Sequence, residues 1–156
     1  MNIDKIIEAS NFVLSKCIDV ETPQECYFKI EHHLPLKTPW NEGGHINDEN
    51  NWDLSDEDKA KVNECLNLLE DYAEKLINKY SCHTYPYNFD FSNLEDEILP
   101  NWIVFPHYPI NTVGWRMGIG EYYATLYQLY RDNLSEEEKI KYDEKYPEPE
   151  YFKTRK

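Results

Sequence analysis

Residues 101–130, NWIVFPHYPINTVGWRMGIGEYYATLYQLY, constrain the fold more than any other stretch. In thirty residues there is one base, Arg116, and one acid, Glu121, against eight Phe, Tyr and Trp rings. So little charge beside so much ring area belongs in an interior, and the rest of the chain is expected to pack around it. The stretch reads as a short apolar strand at 102–105, ended by Pro106. A Trp-Arg-Met-Gly turn follows within residues 114–120. A Tyr-rich helix then runs from Glu121 to about Asn133, burying Tyr123, Leu126, Tyr127 and Tyr130, with Tyr122 and Leu129 flanking.

The other elements follow from periodicity and punctuation. Ile3, Ile6, Ile7, Val13, Leu14 and Cys17 recur at helical spacing from Asn2 to about Asp19, with Asn2 placed to cap and Asp4 in the first turn. Thr22-Pro23 breaks that helix, and residues 24–34 read as a second, shorter one. Residues 40–52, WNEGGHINDENNW, have the composition of a loop bracketed by Trp40 and Trp52. Residues 55–80 give the clearest helix. Ser55 caps it, three acids follow, and Val62, Leu66, Leu69, Ala73, Leu76 and Tyr80 form its stripe, widened by Cys65, Tyr72 and Ile77. Phe89-Asp90-Phe91 reads as a short strand. Ser135 with Glu138 three residues on is a capping box that opens a last helix, stopped by Pro147 and Pro149. The expected fold is mainly α: a single compact domain of four to five helices, residues 1–150, around an aromatic core. A short β-hairpin is allowed between residues 85 and 105. Residues 151–156 form a flexible tail.

Charge narrows the partners. The formal net charge is −14, from 30 acids and 16 bases. That repels phosphate backbones and anionic bilayers, so neither nucleic acid nor a membrane is expected as a direct partner. Asp4, Lys5 and Glu8 interrupt the first apolar run, so no secretory signal is expected and a cytoplasmic location is. Cys17, Cys26, Cys65 and Cys82 are irregularly spaced and read as reduced thiols. The charge is uneven. From Glu42 to Glu74 there are eleven acids and two lysines, a net of −9.

That window is the principal candidate site. Trp40, Glu42, Asp48, Glu49, Trp52, Asp53, Asp56, Glu57, Glu64 and Asp71 have the composition of a protein-binding surface. Rings supply affinity, and carboxylates speed encounter with a basic partner. The competing reading is a solvated face that serves solubility.

A second candidate is a pocket of His107, Trp115, Arg116, Glu121 and Tyr123. Arg116 between Trp115 and Met117 must find an acid or carbonyls, so a structural ion pair to Glu121 or to the 95–97 acids competes with an anion-binding role. Glu121 opposes an anion there, and Gly118-Ile-Gly120 is too short for a phosphate loop. Adjacent His32 and His33 point apart on a helix. With His45, Cys82, His83 and His107 they match no zinc spacing, so no metal or cofactor is expected. No nucleophile motif is present, so no catalytic residue is assigned and an enzyme is not the favoured reading.

In size, charge and compartment the chain is similar to the bacterial inhibitor or immunity proteins that cap basic toxins such as nucleases. The likeness is one of physical type. No motif carries it, and no residue roles transfer. The expected function is therefore an acidic domain that binds a basic protein such as a toxin. The alternatives are a small enzyme or ligand binder at the Arg116 pocket and a DNA mimic, whose carboxylates would engage a nucleic-acid-binding protein.

Overall fold

In the computed structural model the described residues are 2–16, 55–82, 88–108, 115–116 and 118–149. The expected helix at 24–34, the Trp40–Trp52 loop, Gly114, Met117 and the 151–156 tail lie outside them. The described residues form five helices: α1 (Ile3–Lys16), α2 (Asp56–Tyr80), α3 (Asn101–Val104), α4 (Gly118–Asn133) and α5 (Glu136–Lys145). The fold is mainly helical, around a core of tyrosine and other rings.

α2 is the central rod. Its start is built as its composition requires. The Ser55 hydroxyl accepts from the Asp58 N–H at 3.1 Å, and Asp56, Glu57 and Asp58 occupy the first turn, where the helix dipole favours negative charge. Twenty-five residues at 1.5 Å each give a length of about 38 Å. Val62, Leu66, Leu69, Tyr72, Ala73 and Leu76 are 3% exposed or less, which is the predicted stripe. Truncating one of these leucines to Ala would cost about 2–5 kcal/mol, from lost transfer energy plus the cavity left behind.

α1 lies antiparallel against α2. Asn2 caps it, its side chain accepting from the Asp4 N–H at 3.0 Å. Ile6, Ala9 and Val13 are buried. At the crossing ends, Lys16 Nζ reaches Asp58 Oδ2 at 3.1 Å. Farther along, the Lys61 ammonium stands 4.4 Å from the Phe12 ring centroid. The two pairings run in opposite chain directions, which fixes the antiparallel sense.

The strand expectation at 102–105 is wrong. Residues Asn101–Val104 form one helical turn, with Val104 N–H bonded to the Pro100 carbonyl at 3.2 Å and Phe105 N–H to the Asn101 carbonyl at 2.8 Å. A four-residue apolar run is ambiguous between strand and buried helix. Among the described residues no neighbouring strand offers ladder partners, so the backbone bonds to itself, and Pro100 supplies a φ of −65° that suits a helix start. The hairpin allowed at 85–105 does not form among the described residues. Phe89 instead makes an isolated antiparallel bridge to Ser81.

The segment before α3 explains why the chain is so rich in tyrosine. Ile98 and Leu99 are fully buried without regular structure. Buried irregular backbone must find partners for its polar groups. Three helices deliver phenol hydroxyls to it. Tyr72 of α2 donates to the Glu97 carbonyl at 2.6 Å and accepts from the Leu99 N–H at 3.2 Å. Tyr123 of α4 donates to the Leu99 carbonyl at 2.8 Å. Tyr142 of α5 donates to the Ile98 carbonyl at 2.5 Å. Just upstream, the Tyr80 hydroxyl accepts from the Glu95 and Asp96 N–H groups and donates to the Asp96 carboxylate. Phenylalanine would fill nearly the same volume and leave these groups orphaned.

α4 begins at Gly118, three residues before the expected Glu121. Gly118 has a φ of +70°, a left-handed conformation that turns the chain into the helix and that other residues adopt only with strain. Tyr123, Leu126, Tyr127 and Tyr130 are buried as expected. The capping box of α5 is complete. Ser135 Oγ accepts from Glu138 N–H at 3.3 Å, and Glu138 accepts from Ser135 N–H at 2.8 Å. Arg131 joins α4 to α5, bonding Asp143 at 2.6 Å and the Tyr127 hydroxyl at 3.3 Å. Tyr142 is buried, while Ile140 stays 60% exposed.

Candidate functional site

The described part of the acidic window is the outer face of α2. Residues three and four apart share a helix face. Glu57, Lys61, Glu64, Leu68, Asp71 and Lys75 therefore form one row beside the buried stripe, and all are exposed. Leu68, 38% exposed, sits between Glu64 and Asp71. Among the described residues Asp56, Glu57, Glu64 and Asp71 lie in no ion pair; Asp58 is drawn to Lys16. The face is milder than the −9 window suggests. That window stops just before Lys75, and α2 as a whole carries seven acids and four lysines. Trp40, Glu42, Asp48, Glu49, Trp52 and Asp53 lie outside the described residues.

Of the second candidate group, His107, Trp115 and Tyr123 meet around one ring. Phe105 stands 6.4 Å from His107, 5.7 Å from Trp115 and 5.6 Å from Tyr123, centroid to centroid. Tyr108 closes the cluster, 4.7 Å from His107 and 5.1 Å from Trp115. Phe105–Tyr108 is a turn with Pro106 at its second position, closed by the Tyr108 N–H to Phe105 carbonyl bond at 3.1 Å. It folds His107 inward, where Nδ1 has no hydrogen-bond partner. Burial holds its pKa down to about 3, because imidazolium would lose its hydration with no charge to replace it.

Arg116 does not join this cluster. It is exposed and makes no ion pair among the described residues, while Glu121 is half-buried at the start of α4. The 95–97 acids are taken by other cations: Lys79 bonds Asp96 at 2.6 Å and Glu95 at 3.3 Å, and Lys145 bonds Glu97 at 2.8 Å. His107, Trp115 and Tyr123 thus behave as core rings.

Metal ligation has no foothold among the described residues, where no three His, Cys, Asp or Glu side chains converge. Cys65 is buried, which raises its thiol pKa, and Cys82 is half-buried. No described helix is long and apolar enough to cross a membrane.

Sequence reasoning missed a groove. The turn after the Ser81–Phe89 bridge faces the α4–α5 junction across an open cavity of about 670 Å³. Phe89, Phe91 and Leu94 line one side; Tyr130 and Leu134 line the other, and Cys82 lies at one end. The one available signal was the alternation of Phe89 and Phe91. It puts both rings on one side of an extended segment, where they stack at 6.5 Å with 17° between planes. Nothing local tells that α4 and α5 supply the opposite wall. Comparison with known proteins finds no matching protein family, no matching curated protein and no matching solved structure.

Proposed function

We propose that this chain is an acidic protein-binding domain that engages a basic protein partner through the outer face of α2, in the manner of an inhibitor or immunity protein that neutralises a cationic effector such as a toxin. The observation that carries the reading is the exposed Leu68 set between the exposed Glu64 and Asp71, which lie in no ion pair among the described residues, with Glu57 two turns from Glu64. An apolar anchor ringed by charge is the pattern of an interaction surface: the anchor supplies affinity, and the carboxylates steer a cationic partner and reject anionic ones.

The test is affinity capture from the native host with the wild-type chain and with a Glu57→Lys, Glu64→Lys, Asp71→Lys variant. A basic protein should be retained near 0.1 M salt and released toward 1 M, as the screening length falls from about 10 to about 3 Å. The triple variant should not retain it. A captured partner that is acidic, or one held equally at both salt levels, would rule the reading out.

A further inference from the structure

We propose that the groove between the Phe89–Leu94 turn and the α4–α5 junction is a binding site for an arginine side chain presented on an extended segment of a protein.

The walls are aromatic and the rim is anionic. Phe89 and Phe91 lie nearly parallel, and Tyr130 meets Phe91 edge-on at 6.2 Å and 70°. Ring faces attract cations, and a planar guanidinium stacks on them better than a compact ammonium does. Among the described lining residues Asp90 and Glu138 are the carboxylates, and none is a lysine or arginine. Both carboxylates are fixed in place. An Asp90 oxygen accepts from the Ser92 N–H at 2.9 Å, and a Glu138 oxygen accepts from the Ser135 N–H at 2.8 Å. Those bonds hold both carboxyl pKa values below the usual range, so both are anionic at neutral pH. A cavity of about 670 Å³ falls within the range of ligand sites and is larger than one side chain needs, which leaves room for flanking backbone. Ser92 and Asn133 in the lining offer polar groups for that backbone.

This site is distinct from the α2 face proposed above. Its lining shares no residue with α2, so the two assignments fail separately.

The experiment titrates the intact ¹⁵N-labelled chain with acetyl-Gly-Arg-Gly-amide and follows backbone amide signals. The arginine peptide should move Phe91, Ser92 and Asn133 in a saturable way. The lysine analogue should bind more weakly, and the neutral citrulline analogue should leave these signals in place. Asp90→Asn and Glu138→Gln keep the turn and the cap, because Asn and Gln serve the same backbone roles. Each should weaken arginine binding about two- to five-fold, the range of an exposed ion pair. The α2 triple variant should bind the peptide as the wild type does. Equal binding of the citrulline or lysine peptide, shifts confined to α2, or unchanged affinity in both neutral variants would overturn the assignment.

Discussion

His107 gives the sharpest quantitative test of the core. Its ring is buried against Phe105 and Tyr108, and burial alone lowers its pKa to about 3. In the unfolded chain it should titrate near the ordinary value of 6.5. Folding therefore lowers the pKa of a base. Above pH 6.5 the residue is neutral in both states and contributes no pH dependence. As pH falls below 6.5 the unfolded chain takes up the proton and the folded chain does not, so stability is lost progressively down to about pH 3. At pH 5 the unfolded side chain is 1.5 pH units below its pKa, which amounts to about 2 kcal/mol of lost stability relative to pH 8. For a chain of this size that is about 4–8 °C in melting temperature. Urea denaturation at pH 8 and pH 5, followed by tryptophan fluorescence, measures the loss. Carboxylates and the other histidines contribute in both proteins, so the comparison is with His107→Leu. This variant removes the titration, and Nδ1 has no hydrogen-bond partner among the described residues to be orphaned. The variant should lose about 2 kcal/mol less than the wild type between the two pH values. Equal losses would refute the argument, as would a His107 resonance titrating near pH 6.5 in the folded protein.

Two further substitutions test the polar framework, both by urea denaturation at pH 7. Tyr72→Phe leaves the Glu97 carbonyl and the Leu99 N–H without their partner, and should cost about 1–3 kcal/mol per buried group. Tyr142→Phe orphans only the Ile98 carbonyl and should cost less; a Tyr72→Phe protein as stable as the wild type would show that the hydroxyls do not hold the segment. Ser135→Ala removes the hydroxyl half of the α5 capping box and should cost about 1 kcal/mol, whereas Ile140→Ala, at an exposed position, should stay within about 0.5 kcal/mol.

The sequence carried the long helices well because their signals are local. Ser55 and Ser135 each sit one residue before a run of acids, and the structure uses both as caps. The stripe from Val62 to Tyr80 is buried as its spacing demands. The Trp102–Phe105 run failed because strand and helix make the same local claim on four apolar residues. The decision came from the absence of a ladder partner, which is a property of the whole fold. Arg116 is exposed although the preceding Trp115 packs on Phe105, a difference between adjacent residues that sequence composition does not carry.

The tyrosines show where composition stops short. Thirteen in one chain predicted a ring-filled interior with some rings on show. The sequence did not show that an irregular segment, residues 95–99, runs from the surface at Glu95 into that interior at Ile98 and Leu99. Such a segment places a demand on the helices around it. Each must present not just an apolar surface but a hydroxyl at the height of a particular carbonyl or N–H. Tyr72, Tyr80, Tyr123 and Tyr142 meet that demand from three helices. The same requirement shapes the surface. Holding 95–99 by phenols leaves the side chains of Glu95, Asp96 and Glu97 to be matched by Lys79 and Lys145. Those acids are thereby withdrawn from the pool available to a partner. Under the proposed function, a cationic protein would meet Glu57, Glu64 and Asp71 of α2, which lie in no ion pair among the described residues.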